Sequence, residues 1–283
     1  MSTQARDQLG QFGIWRNGGQ LSPDLAIGIE RAGFGALWVG GSPDGDLDIV
    51  EELLAATTTL TLGTSIVNIW KDGAPTVAAS FARIEARFAG RFVLGVGTGH
   101  REATQQYEKP YAKLASYVTD LLNDGVPAGS LVLAALGPKV LELARDTTAG
   151  AIPYLVTPEH TRRAREILGA GPLLAPEHKV VLDADPVSAR AIGRPRVQNP
   201  YLGLINYTSN LRRLGWTEED LADGGSDALI DALVAHGSPA DVAAQLHEHL
   251  AAGADHVVAQ LLTGRGDDLL DGYAQLGSAL GLS

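Results

Sequence analysis

Several residues whose side chains could hold a planar, polar ligand stand where apolar runs of the chain end. Asn68 and Trp70 close the run Leu60-Thr-Leu-Gly-Thr-Ser-Ile-Val-Asn-Ile-Trp70, and Thr98, Gly99 and His100 close Arg91-Phe-Val-Leu-Gly-Val-Gly-Thr-Gly-His100. Histidine changes charge near neutrality, so His100 can serve as a hydrogen-bond donor or a proton carrier, or else as a capping or buried structural residue. Trp15 ends an earlier run, Gln11 to Trp15; its ring is either core or the wall of a pocket. Ala134-Ala-Leu-Gly-Pro138 opens a helix whose free N–H groups and positive end could bind a phosphate without any basic side chain; a plain helix start is the other reading. Gly95-Val-Gly-Thr-Gly99 invites a dinucleotide reading, but that fingerprint needs glycine where His100 stands. The chain has no cysteine, which excludes disulfides, thiol catalysis and cysteine-ligated metals. His247 and His249 are two residues apart on a predicted helix, so they point to different sides and predict no metal site. Arg162, Arg163 and Arg165 read as a solvated helix face.

The elements that must position these residues alternate strand and helix. Leu60 to His100 reads as strand, turn, helix, strand, with Pro75 in the first helical turn, and continuous apolar strands of this kind lie in parallel sheets. Predicted strands begin near Gln11, Ala36, Leu60, Phe92, Leu131, Gly150, Lys179 and His256. Ser22-Pro23, Asp185-Pro186 and Ser238-Pro239 read as helix starts. Residues 195–227 are expected to be irregular and to form an insertion before the last strand; Tyr201, Asn206 and Tyr207 fall in it, as a lid would. At 283 residues this alternation favours a single (β/α)8 barrel over residues 1–283, with ligands at the carboxyl ends of its strands. Gln260 and Arg265, at or beyond the last strand, could face the same mouth; a solvated loop position is the other reading of Arg265.

A net charge of −11 leaves no basic face for nucleic acid. No apolar stretch is long enough to span a bilayer and the amino-terminal residues have no signal-like core, so a cytoplasmic protein is expected, with neither membrane nor nucleic acid as partner.

The pair Gly63-Thr-Ser-Ile66 and Gly90-Arg-Phe-Val-Leu-Gly-Val-Gly-Thr-Gly-His100 resembles the luciferase-like flavin and deazaflavin oxidoreductases, and within them the branch that uses coenzyme F420. The resemblance implies a homodimeric (β/α)8 enzyme that moves a hydride between F420 and a small organic substrate. It places Trp15, Ser65, Ile66, Asn68, Thr98, Gly99 and His100 around the ring system, with a cis peptide at Ser65–Ile66 behind it. Ala135, Leu136, Gly137 and Pro138 fall where the family holds the cofactor phosphate. His100 becomes the catalytic donor, and Ser42, Trp70, Tyr207 and Arg265 line the substrate pocket. Two departures stand out. Gly40-Gly41-Ser42-Pro43 replaces a proton-transferring histidine found after strand two in several deazaflavin enzymes, leaving Asp44 and Asp46 as the nearest carboxylates. Tyr154 and Thr157 stand where a sugar-phosphate dehydrogenase relative has cations, which argues against a phosphorylated sugar. The alternatives are an FMN-dependent monooxygenase of the same fold and a barrel that binds flavin or a metabolite without turnover.

Overall fold

The computed structural model describes residues 9–99, 109–264 and 268–282. Its strands are β1 (Phe12–Asn17), β2 (Ala36–Gly40), β3 (Thr61–Ser65), β4 (Val67–Asn68), β5 (Phe92–Gly97), β6 (Leu131–Leu133), β7 (Gly150–Ala151), β8 (Leu173–Leu174), β9 (Glu177–Val181), β10 (Val234–His236) and β11 (Val257–Leu261). Between them run α1 (Pro23–Arg31), α2 (Asp48–Ala56), α3 (Ala74–Arg87), α4 (Pro110–Asn123), α5 (Pro138–Thr147) and α6 (Pro158–Leu168). The later helices are α7 (Pro186–Gln198), α8 (Ile205–Arg213), α9 (Glu218–Leu221), α10 (Asp227–Leu233), α11 (Pro239–Ala251) and α12 (Leu269–Ala279). The expected helix starts hold: Ser22 and Asp185 accept backbone N–H bonds as caps, and Ser238 forms a capping box with Asp241.

The strands form one curled sheet in which every pairing is parallel. Its path runs β10-β9-β11-β1-β2-β3-β5-β6-β7-β8, and β4 pairs with β5. Two residues separate β8 from β9, and this stretch bonds on both edges. Ala175 and Glu177 donate N–H to the carbonyls of Ala151 and Pro153, while Pro176 accepts from Val258 N–H.

The curl has two apolar faces. Outward-facing Phe12, Ile14, Leu37, Val39 and Leu62 pack beneath the helices, and inward-facing Trp15, Ala36, Trp38, Val93, Val132 and Val258 fill the interior. This is the two-residue alternation of a strand, with both faces covered. Low in the interior, Trp38 donates its indole N–H to Nε2 of His256 at 3.1 Å, and Nδ1 of His256 donates to the Gly10 carbonyl at 2.8 Å. A third apolar cluster joins Leu155, Val181 and Leu262 to α7, α8 and α10.

Some expectations fail. Residues 195–227 are largely helical: Pro195 sits inside α7, and α8 and α9 follow. Proline there forgoes one helical N–H bond, while the apolar side chains around it gain a packed cluster, and packing overrides the local signal. Arg165 is no solvated residue. Its guanidinium donates to the carbonyls of Gly253, Gly169 and Pro172 and to Asp255, tying the end of α6 to the turns before β8 and β11. A cation at a helix carboxyl end meets unsatisfied carbonyls, which the run of arginines concealed. Arg162 and Arg163 do pair on the surface, both with Glu159.

Candidate functional site

The carboxyl ends of the strands bring most of the expected cofactor residues together. Trp15 reaches across β2 to donate its indole N–H to the Ser65 carbonyl at 3.4 Å. Only glycine at position 40 leaves room for that ring, since a Cβ there would lie 2.0 Å from it. The ladder between β3 and β5 stops after Gly63, and the Thr64 hydroxyl takes its place, donating to the Gly95 carbonyl and accepting from Gly95 N–H at 2.8 Å each. The Ser65–Ile66 peptide that follows is cis, as the resemblance implies. Ile66 lies against Gly97, which lies in turn against Ala134, so the ends of β3, β5 and β6 meet. Asn68 accepts from Trp70 N–H through Oδ1 at 3.0 Å and sets its amide nitrogen over Gly99, which takes φ +57°. Thr98 and Gly99 are half-buried beside it.

Next to this group lies the amino end of α5. Gly137 caps it without a side chain, Pro138 has no N–H to give, and among the described residues the N–H groups of Ala135, Leu136 and Gly137 have no acceptor. The loop is held from behind by His160, whose Nε2 donates to the Leu136 carbonyl at 3.0 Å. Burial, with Arg213 and Arg163 nearby, pushes the His160 pKa down to about 4, so the ring is neutral. In front, the exposed guanidinium of Arg213 in α8 comes within 4.0 Å of where a Cβ on Gly137 would stand.

The opposite wall holds Gln260, expected to face this mouth, beside a charged pair that no sequence reading identified. Glu177 and Lys179 both point into the curl and are sealed from solvent. Nζ of Lys179 donates to Oε1 of Glu177 at 3.1 Å, to Oε1 of Gln260 at 2.8 Å and to the Tyr154 hydroxyl at 3.0 Å. Three oxygens around one nitrogen, one of them a carboxylate's, suit the ammonium form. The second oxygen of Glu177 accepts from Leu155 N–H at 2.8 Å. Burial pushes the Glu177 carboxyl up and the Lys179 amine down, and each partner opposes the other's shift. The ammonium lies 4.1 Å from the ring centre of Tyr154 and 5.3 Å from that of Tyr201. Tyr154 also meets Trp15, with ring centres 5.4 Å apart, and so joins this wall to the cofactor side. A lysine three residues into an eventual strand, two after a glutamate, was the available signal; the matching parity of Gln260 was the other half of it.

Of the expected substrate-pocket residues, Tyr207 is buried behind Tyr201, with ring centres 4.8 Å apart. Trp70 turns outward to a groove shared with Lys71, Asp72 and Tyr117. Ser42 follows β2 in a positive-φ turn, and its carbonyl accepts from Lys71. His100 and Arg265 lie outside the described residues. Asp44 pairs with Lys71 and Asp46 caps Asp48 N–H, so both carboxylates hold turns. His249 turns inward to Thr161 and His178, at 2.8 and 2.9 Å, while His247 bonds its own helix and rests edge-on against Phe12.

Residues 22–123, which contain the Trp38, Ser65–Ile66 and Gly97–Gly99 segments, match the family model of the luciferase-like monooxygenases. The fold is luciferase-like. An F420-dependent secondary alcohol dehydrogenase solved with an F420-acetone adduct superposes with a TM-score of 0.73 at 14% identity, over 96% of this chain and 98% of that one. An F420-dependent tetrahydromethanopterin reductase from Methanopyrus kandleri does so at 0.67 and 16%, over 96% and 98%. The oxygenating constituent of 3,6-diketocamphane monooxygenase from Pseudomonas putida, solved with FMN, gives 0.65 and 13%, over 96% of each chain. At such identities the likeness is one of fold, and deazaflavin and flavin proteins share it. No curated protein matches the chain in sequence. Among the described residues no helix is long and apolar enough to cross a membrane.

Proposed function

We propose that the chain is an F420-dependent oxidoreductase, a single (β/α)8 barrel in which β8 and β9 count as one stave and residues 195–227 as an insertion before β11. The observation that carries the cofactor reading is the amino end of α5. Three backbone N–H groups without acceptors among the described residues, a cap with no side chain and the Arg213 guanidinium beside it suit a phosphate group, which F420 and FMN both carry. The residues therefore fit the cofactor. Ala135 to Gly137 would hold the phosphate, and Trp15, Ser65, Ile66, Asn68, Thr98 and Gly99 would surround the ring, with His100 as a donor beside it.

When bound, a deazaflavin supplies or accepts a hydride and reacts poorly with oxygen, because carbon replaces the reactive ring nitrogen. The protein's own part is to orient the ring, exclude water and place donors where the substrate gains charge. Trp15, Trp38 and the tyrosines make that wall dry, and Lys179 and Glu177 supply charge below it.

FMN is the second reading, because an FMN-bound protein shares the fold. Titrating the purified protein with F420 and separately with FMN, followed by tryptophan and ligand fluorescence, distinguishes the two. Saturable binding of F420 in preference to FMN is expected. Preference for FMN would replace hydride transfer by oxygen chemistry, and binding of neither would end the cofactor reading.

A further inference from the structure

Gln260 is the last inward residue of β11. Its side-chain oxygen accepts from the Tyr154 hydroxyl at 2.7 Å and from Nζ of Lys179 at 2.8 Å. Both neighbours are donors, so the amide stands in one orientation: flipped, it would set N–H2 against an ammonium. Its nitrogen therefore points away from them. Gln260 is half-buried, no described residue accepts from Nε2, and that nitrogen is not among the sealed polar atoms. The donor is thus fixed at one end and open at the other, at the carboxyl end of β11 and one side chain from Trp15.

Lys179 strengthens this donor. A cation on the amide oxygen draws electron density from the N–H bonds, and hydrogen bonds in series reinforce one another by about 10–30% each. The ammonium itself has no donor left to offer, and the rings of Tyr154 and Tyr201 cover it.

We propose that Gln260 binds the substrate oxygen and that Lys179 is its positioning residue. The substrate is a small uncharged carbonyl compound or the matching alcohol. A neutral N–H2 group suits such an oxygen, whereas a phosphate or carboxylate would find the nearest cation already neutralised by Glu177. The reaction assigned to that substrate rests on the oxidoreductase reading; the open donor does not. An oxygen that gains charge as its carbon is reduced gains most from a donor already in place.

Acetone labelled with carbon-13 at its carbonyl tests this, since that resonance moves downfield when the oxygen accepts a hydrogen bond. Water already hydrogen-bonds free acetone, so the reference is acetone bound to Gln260→Met: relative to it, wild-type protein, titrated both without cofactor and with saturating F420, should displace the bound resonance downfield in at least one state. Gln260→Glu keeps the shape but removes the N–H2 group and should abolish the displacement. The double variant Lys179→Met/Glu177→Gln, which leaves no buried charge unpaired, should still bind acetone but with a smaller displacement. No binding of acetone to wild type, or a bound resonance at the same position in wild type and the Gln260 variants, would overturn the proposal. Failure of F420 to bind would remove the oxidoreductase reading, while the cofactor-free titration would still decide the role of Gln260.

Discussion

Lys179→Met is expected to destabilise the protein by about 3–5 kcal/mol, because it strands the Glu177 carboxylate in a dry interior. Both side chains of the pair are buried, at 1% and 0% exposure, so no water replaces the lost ammonium. Glu177 would keep the Leu155 N–H bond and nothing else, and the Gln260 and Tyr154 oxygens would each lose a donor. Adding Glu177→Gln should recover much of the loss, since a neutral amide next to methionine leaves no uncompensated charge. Denaturant unfolding of the wild type and both variants measures this directly. A single-variant loss under about 1 kcal/mol, in the range of an exposed ion pair, would mean that water reaches the pair and that the wall it supports is open.

The second large effect is acid sensitivity. His160, His178 and His256 are buried and neutral, and burial pushes each pKa down from 6.5 to about 4. The unfolded chain takes up protons below pH 6.5, whereas the folded one takes them up only near pH 4. Stability from these groups is therefore fully present above pH 6.5 and is lost as pH falls through the window down to 4. Each histidine contributes a slope of about 1.4 kcal/mol per pH unit inside that window. Together the three should lower stability by about 4 kcal/mol between pH 7.5 and 5.5. A loss of that size approaches the whole stability of many domains, so acid unfolding is expected before the carboxylates titrate. His256 shows the cause most plainly: protonating Nε2 would turn the acceptor of the Trp38 indole N–H into a second donor. His256→Gln should remove about a third of the slope. Unfolding midpoints that do not change between pH 7.5 and 5.5 would contradict buried, neutral rings.

The parts of this molecule legible in its sequence are those fixed by local chemistry. Ser22, Asp185 and Ser238 cap helices where their side chains and following prolines say they should, and the runs ending in Trp15, Asn68 and Gly99 are strands meeting at one rim. The resemblance added what local chemistry could not, the cis peptide at Ser65–Ile66. Within the polar wall, the Glu177–Lys179 pair stayed hidden for a physical reason. Lys179 and Gln260 are 81 residues apart, and only the parallel register of β9 with β11 makes them neighbours. Charged residues at the start of a strand ordinarily mark an exposed end, and nothing nearby in sequence shows that Glu177 neutralises Lys179 inside the curl. Strands as short as β8 and β10 likewise carry no readable period, and the helices from α7 to α10 owe their order to the apolar cluster they share.

In the proposed arrangement a flavin-like ring sits at this rim with its phosphate on the amino end of α5. The most direct measurement compares the affinity of a deazaflavin carrying a terminal phosphate with that of its phosphate-free riboside, by fluorescence titration of wild type and Arg213→Ala. The phosphorylated ligand should bind roughly tenfold or more tightly to wild type, and Arg213→Ala should narrow the gap without closing it, because the backbone donors remain. Equal affinity for the two ligands, or binding of neither, would contradict the placement of the cofactor.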